Sequence, residues 1–395
     1  MAAGKNGSAL DVERVVRERY GEAARGREEA LCCPLEYDPR YLEVIPEEVL
    51  ERDYGCGDPS RYVREGDTVL DLGSGGGKIC FIAAQIVGPK GLVIGIDMND
   101  EMLALARRSA PIVSERVGYA NISFHKARIQ DLALDLDRLE ARLNDKPVKS
   151  LHDLASLDEY SRRQRAGQPL VPDASVDVVI SNCVLNLVHD ADKPALIREI
   201  FRVLKPGGRI AISDIVSDEF APEALKADPE LWSGCISGAF QEEELLRALE
   251  EAGFYGIALD QWVEEPFRVV DGIEFRAITV TGRKGKEGPC FEANQAVIYK
   301  GPWRQVEDDD GHVLRRGQRV AVCAKTYRIY TSPPYSQDVI AVPPRIEIPL
   351  TAREPFDCAR TALRHPRETK GEAYRESTPA PAAGSGGCCA PGDCG

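Results

Sequence analysis

A doubly wound α/β fold is predicted by three observations: apolar strand-like runs alternate with helical segments from Thr68 onward, a glycine-rich turn follows the first run, and an acidic residue closes the second. The runs are TVLDL from Thr68, LVIGID ending at Asp97, NISFHK, VDVVISN ending at Asn182, and RIAISDI. Their nearly unbroken apolar character is that of strands covered on both faces of a parallel sheet. Helices are expected from about Gly76 to Val87, through Arg107, and from Ala191 to Leu204.

Ahead of the sheet, Asp11 to Ala30 is charged with Val15, Val16, Tyr20 and Ala23 at helical spacing, which predicts a leading amphipathic helix. The following segment, LCCPLEYDPRYLEVIPEEVLERDYGCGDP, puts Cys32, Cys33 and Cys56 in loops on either side of a short helix beginning near Pro46. Between the third and fourth strands, residues 132–172 are charged and leucine-spaced, and they read as a helical insertion on the surface. Beyond Phe254 the runs shorten to AVIYKG and RVAVCAKTYRIYT, so a smaller α+β domain is expected there. After about Glu368 the composition turns to Pro, Ala, Gly, Ser and Glu, which predicts a disordered tail ending in GSGGCCAPGDCG. The expected division is 1–60, a helical cysteine-bearing segment; 61–285, the sheet domain with its insertion at about 132–172; 286–367, the α+β domain; and 368–395, the tail.

Composition narrows the function. No run approaches eighteen apolar residues, and MAAGKNGS lacks the apolar stretch of a secretory signal, so neither a membrane anchor nor export is expected and the chain is placed in the cytoplasm. A net charge of −14 with no basic stripe argues against nucleic acid. Twelve cysteines in a reducing compartment point to thiolates, redox pairs or ligands rather than a disulfide framework. Cys80, inside an apolar helix, reads as a small buried hydrophobe; Cys290, Cys323 and Cys358 read equally as that or as working thiols.

The sharpest motif is VLDLGSGGGK, Val69 to Lys78. Lys78 stands where a dinucleotide fingerprint needs its third glycine, and the pattern Asp71, Gly73, Ser74, Gly75, Gly77 instead resembles motif I of the class I methyltransferases. Asp97, closing the second strand, is placed to accept the ribose hydroxyls of a nucleoside, and Ile129 and Gln130 to flank adenine. S-adenosylmethionine is the cofactor so implied. Its sulfonium needs no activation, so the protein must supply geometry and a nucleophile with a free lone pair.

For that nucleophile, His189 after the fourth strand would serve as a base for an oxygen or nitrogen acceptor. Cysteines are better placed: Cys183 in VISNCVLNLV at the end of the fourth strand, Cys235 in LWSGCISGAF after the fifth, and Cys56 in DYGCGDP before the first. Three thiols suit a soft, thiophilic acceptor such as As(III), whose lone pair points away from three sulfurs. Structural zinc is the competing reading, although the CxxC spacing of zinc ribbons is absent at these positions.

DYGCGDP, VLDLGSGGGK, IGIDM, VISNCVLNLV, VLKPGGRIAISDI, LWSGCISGAF and CFEANQAVIYKG closely resemble the arsenite methyltransferases, over about Tyr20 to Lys300. The resemblance implies a Rossmann-like class I methyltransferase sheet that passes methyl groups from S-adenosylmethionine to arsenite or its thiol conjugates, giving mono- and dimethylated products. It further implies Cys183 and Cys235 as the main arsenic ligands, Cys56 as the third, and Cys32 or Cys33 as the partner of Cys56 in a disulfide formed during turnover. Tyr54, Gly73, Asp97, Met98, Ile129, Gln130 and Asn182 match positions lining the cofactor. Glutathione or thioredoxin is the implied reductant, and a monomer the expected state. Two features depart from the family: the insertion of roughly forty residues between the third and fourth strands, and a Cys32–Cys33 pair set closer to Cys56. The terminal Cys388, Cys389 and Cys394 either deliver arsenite or form an idle tail. A methyltransferase for a small organic acceptor and a non-catalytic metalloid-binding protein remain alternatives, the second opposed by the intact glycine turn.

Overall fold

Five parallel strands form the centre of the main sheet: β1 (Thr68–Leu72), β2 (Leu92–Asp97), β3 (Ile122–Lys126), β4 (Val176–Asn182) and β5 (Leu204–Ser217), in the order β3-β2-β1-β4-β5. Along β1, Val69 enters one apolar cluster while Leu70 and Leu72 enter the other, and along β4 Val178 and Ile180 oppose Val179 in the same way. A strand whose alternate side chains both find a core must be covered on both faces. The computed structural model describes residues 10–26, 28, 37–358, 362–371 and 373–375, in two compact units, 1–287 and 288–395.

In the first unit, α1 (Val12–Ala23), α2 (Pro39–Leu42) and α3 (Glu47–Glu51) precede the sheet. Helices α4 (Lys78–Val87) and α5 (Asp100–Val117) bury Phe81, Ile82, Leu103 and Leu105 on the face of Val69. Helices α6 (Leu136–Asp145) and α7 (Leu151–Gly167) make up the insertion, and α8 (Lys193–Val203) covers the opposite face with Leu196, Ile197 and Ile200. Short helices α9 (Glu223–Lys226) and α10 (Pro229–Ser233) lead to the two-residue strand β6 (Phe240–Gln241) and α11 (Glu242–Glu251), whose Leu245 and Leu249 join the same core.

The sheet does not stop at β5. Strand β7 (Tyr255–Trp262), the short β8 (Arg268–Val270) and β9 (Ile273–Arg283) follow, and β9 pairs antiparallel with β5 over Arg209–Ser217 and with β7 on its other side. Ile278 and Val280 of β9 complete the core over Phe254, which is fully buried with its ring edge-on to Phe201 at 5.1 Å.

Several boundaries differ from those expected of the sequence. The leading helix ends at Ala23 rather than Ala30. Helix α4 begins at Lys78 rather than Gly76 because Gly77, at φ 92, lies in the left-handed region as its N-cap.

The second unit holds a sheet ordered β13 (Arg319–Ala321), β10 (Ala296–Tyr299), β14 (Val339–Val342), an antiparallel hairpin of β11 (Gln305–Glu307) and β12 (Val313–Arg315), and helices α12 (Ala324–Tyr330) and α13 (Pro366–Lys370). Helix α13 runs across Glu368, where composition places the start of a disordered tail. The cause is a capping box: His365 N–H donates to Glu368, whose carboxylate also takes Arg364 at 2.7 Å. The terminal cysteines 388, 389 and 394 lie outside the described residues, as do Cys32 and Cys33.

The insertion leaves the core at a narrow neck, where Leu170 and Val171 N–H donate to Ala133 and Leu132 carbonyls at 3.0 and 2.9 Å. Within α6 and α7 only Gln164 is buried, and Leu151 is 85% exposed. What ties these helices to the rest is chiefly the ion pairs Arg107–Asp137, Lys126–Glu140 and Arg165–Asp131. Such exposed pairs contribute about 0–1 kcal/mol each. Replacing residues 136–167 with a short Gly/Ser loop should therefore lower stability by no more than about 1–3 kcal/mol in urea unfolding; loss of the folded state would show that the insertion carries core packing.

Candidate active site

At the end of β1 the chain turns through Gly73 and Gly75, at φ 68 and 50, into α4. Ser74 N–H donates to Ile96 O at 2.9 Å, tying the turn to β2. From the end of β2, the Asp97 carboxylate accepts Gly75 N–H and Asn99 N–H, both at 2.8 Å. A Cβ on Gly73 would lie 2.2 Å from Val184 Cγ2, so only glycine lets the loop after β1 pass the loop after β4.

Above this turn lies a cavity of about 370 Å³. It sits where strand order reverses between β1 and β4, outside the carboxyl ends of the strands, which is where open α/β sheets hold ligands. Tyr54, Asp71, Gly73, Ser74, Gly75, Asp97, Met98, Ile129, Gln130 and Asn182, all singled out from the sequence, line it. Gly77 does not; its part is to cap α4 behind the turn. Helix α1 supplies one wall through Val16, Arg17 and Tyr20, a contribution that the sequence pattern did not reveal.

Acidic groups beside the turn are strongly perturbed. Burial pushes Asp71 up to about 7, the nearby Asp97 and Asp53 charges add to it, and the Cys80 thiol, 3.1 Å away, opposes it by hydrogen bonding. Asp53 is also raised by burial, against the pull of Lys78 at 2.7 Å; that ammonium lies 3.7 Å from the Tyr37 ring centre. His189 lines the cavity too, but its Nδ1 already accepts Ala191 N–H at 3.1 Å.

Of the three singled-out thiols, Cys183 lines the cavity, whereas Cys56 and Cys235 pack beside it in one apolar cluster. The ligand atoms of Cys56, Cys183 and Asp214 lie within 4.8 Å of one another. Cys235 Sγ donates to Cys183 O at 3.1 Å and lies 3.8 Å from Tyr20 Oη. Cys183 and Cys235 both have left-handed backbones, at φ 58 and 61. The loop of Cys56 is held by Asn182, whose Oδ1 accepts Cys56 N–H at 2.9 Å and Gly57 N–H at 3.1 Å, while its Nδ2 donates to Gly57 O at 2.8 Å.

Both Cys183 and Cys235 are pushed well above the usual thiol range. For Cys235 the hydrogen bond with Cys183 acts first and burial second; for Cys183 the hydrogen bond with Cys235 lowers it, but that with Cys56 and burial raise it more. Asp214, overlooked in the sequence though it lies in RIAISDI, is pushed by burial up to about 6 while accepting Leu185 and Ile215 N–H at 2.9 and 2.8 Å.

A glycine turn with a buried, unpartnered Ser74 hydroxyl and an acid closing β2 fits the amino-acid and ribose ends of a nucleosidyl cofactor, and the sheet order fits the class that uses one. This is the fold and site of an S-adenosylmethionine-dependent methyltransferase of class I. The family described as "Methyltransferase domain" matches residues 64–147 and 161–253, and one described as a domain of unknown function (DUF8838) matches 286–374. The arsenite methyltransferase of Aquipseudomonas alcaligenes is 31% identical over 335 residues, spanning 80% of this chain and 86% of that one. That of Mus musculus is 27% identical over 88% of this chain and 86% of its own. Among solved structures, the arsenic(III) S-adenosylmethionine methyltransferase of Chlamydomonas reinhardtii is 27% identical, with a TM-score of 0.53 over 82% of this chain and all of that one. The chain belongs to the arsenite methyltransferase family. No helix among the described residues is long and apolar enough to cross a membrane.

Two predictions arise here. Asp71 keeps its proton to about pH 7 when folded but ionises near 3.8 when unfolded, so between those values the folded chain binds more protons. Its contribution is thus fully present below about pH 4 and is lost as pH rises through 7. Unfolding of Asp71→Asn across pH 4–8 should lack that decline, the difference reaching about 4 kcal/mol; parallel curves for the two proteins would refute it. Secondly, Asn182→Ala strands two part-buried N–H groups at about 1–3 kcal/mol each. Alkylation of Cys56 should then accelerate, as mapped by mass spectrometry.

Proposed function

We propose that this chain transfers methyl groups from S-adenosylmethionine to trivalent arsenic held by Cys56, Cys183 and Cys235, giving mono- and dimethylated arsenicals. The observation that carries it is Cys183, which lines the cavity above the glycine turn while its sulfur lies within 4.8 Å of that of Cys56 and its carbonyl accepts the Cys235 thiol at 3.1 Å. The protonated state of Cys183 and Cys235 suits condensation with uncharged As(OH)3, in which each As–O bond is replaced by As–S and each thiol proton leaves in water.

Bound beside Gly73, Ser74, Gly75 and Asp97, the cofactor would supply an electrophilic methyl on a sulfonium for the arsenic lone pair. The chain's part is to hold the arsenic pyramid with its lone pair open and to keep water out of the thiol cluster, where Cys56, Cys183 and Cys235 are each less than a tenth exposed. No general base is required, in keeping with the engagement of His189 Nδ1 in a backbone hydrogen bond. Each transfer formally oxidises arsenic by two electrons. A thiol pair returns them and becomes a disulfide, in this reading between Cys56 and Cys32 or Cys33, which glutathione or thioredoxin then reduces by exchange.

Purified protein with arsenite, S-adenosylmethionine and a thiol reductant should yield methylated arsenic, separated by chromatography with elemental detection. Cys183→Ser and Cys235→Ser should each lower the rate at least about a hundredfold, since removing one ligand changes the donor set. Undiminished methylation by both variants would sink the assignment.

A further inference from the structure

The second unit contains three more thiols in one place. Cys290, Cys323 and Cys358 bring their sulfurs within 4.8 Å of one another, although 33 and 35 residues of chain separate them in sequence. Backbone pairing fixes the three segments: Phe356 N–H donates to Cys290 O at 2.9 Å, Ala324 N–H to Phe291 O at 2.9 Å, and Glu292 N–H to Glu354 O at 2.8 Å. Arg364 anchors the same stretch, its Nη2 donating to both carboxylate oxygens of Glu292 at 2.7 and 2.8 Å. The triad is therefore held by its scaffold and does not depend on a bond between the sulfurs; all three are free thiols.

Their surroundings favour ligation. Thr326 N–H and Oγ1 lie 3.3 and 3.2 Å from Cys323 Sγ. Cys323 is fully buried while Cys290 and Cys358 are half-buried, which leaves the triad reachable from one side. No fourth Cys, His, Asp or Glu ligand atom among the described residues joins the three sulfurs within the same radius. The nearby His312 turns its Nδ1 to Asp308 at 3.0 Å. Zinc in a structural site takes four donors in a tetrahedron, whereas a pyramidal trivalent metalloid takes three thiolates.

We infer that Cys290, Cys323 and Cys358 form a second, non-methylating tris-thiolate site for As(III) in the C-terminal unit. Binding replaces three As–O bonds of As(OH)3 by three As–S bonds and releases three waters, with no change of oxidation state. The choice of arsenic as occupant rests on the proposed function; the three-sulfur donor set does not. None of its residues lines the cavity above the glycine turn, so it can store or buffer arsenite without entering the transfer step.

The test uses the full chain with Cys32, Cys33, Cys388, Cys389 and Cys394 changed to Ser, loaded with arsenite under reducing conditions without S-adenosylmethionine, desalted, and assayed for arsenic per chain. About two atoms are expected, falling to about one in Cys323→Ser and in the less buried Cys358→Ala, to about one in Cys235→Ser, and to none when both sites are altered. X-ray absorption of the Cys235→Ser protein should count three sulfur neighbours. Unchanged stoichiometry in both Cys323→Ser and Cys358→Ala, or retention of zinc that arsenite does not displace, overturns the inference. Methylation measured in parallel on the unsubstituted chain separates the two readings: absence of methylated products there, with the stoichiometric loss intact, removes the proposed function alone.

Discussion

Everything at the active site depends on three loops approaching the carboxyl ends of β1, β4 and β5 more closely than side chains allow. A Cβ at Gly73 would sit 2.2 Å from Val184, one at Gly55 would sit 2.2 Å from the Asn182 amide, and one at Gly57 would sit 2.4 Å from Ser213 Oγ. Glycine at these positions brings the cofactor turn, the Cys56 loop and the Cys183 loop into one crevice. Asn182 then becomes the hinge of the arrangement, because one amide closes β4, walls the cavity and binds the Cys56 loop by three hydrogen bonds. Cofactor pocket and thiol cluster cannot move independently.

The same constraint explains why two cysteines adopt left-handed backbone. Non-glycine residues there cost of the order of 1–3 kcal/mol and persist only where the surroundings over-determine them. Cys183 N–H donates to Ser213 O at 2.8 Å, and the next turn is pinned by Asp214 accepting Leu185 N–H. Asn186 Nδ2 reaches both Ile215 O at 2.6 Å and Cys235 O at 3.3 Å, so one side chain ties the two cysteine loops together. The backbone that carries both sulfurs is thereby fixed, as the proposed ligation of a substrate by them would require.

Much of this was legible in the chain because it is local. The alternation of Val69 against Leu70 and Leu72, the glycines at 73 and 75, and Asp97 at the end of β2 each occupy a few consecutive residues, and each marks a position in the parallel sheet or its rim. What was not legible depends on distant pairing. Strand β9 was not singled out in the sequence, and only its register with Arg209–Ser217 makes it part of the main sheet. Helix α1 reads as a generic amphipathic helix, with nothing in Val16, Arg17 and Tyr20 to say that the face packs over a cofactor cavity. Asp214 hides inside an apolar strand motif, and its perturbation comes from burial that no pattern encodes. The triad of Cys290, Cys323 and Cys358 is the extreme case, since three solitary cysteines become neighbours only through the Phe291 and Phe356 backbone bonds.

Protonation decides how such sites can work. Hydrogen bonding to a neighbouring thiol, that of Cys183 for Cys235 and that of Cys56 for Cys183, together with burial among Ile215, Leu231, Ile236 and Phe275, disfavours the anions, so Cys183 and Cys235 keep their protons well above the usual thiol range. Ionised together beside the Asp214 carboxyl, whose oxygen lies within 4.8 Å of the Cys56 and Cys183 sulfurs, such thiols would repel one another, and binding a cation would require their deprotonation first. An uncharged hydroxide of a trivalent metalloid avoids both costs, because each thiol gives its proton to a departing hydroxide and the product carries no net charge. Burial thus favours the condensation of neutral partners over a free thiolate nucleophile, and in the proposed reaction the lone pair left on arsenic would take the part that a base-activated side chain plays in other methyl transfers.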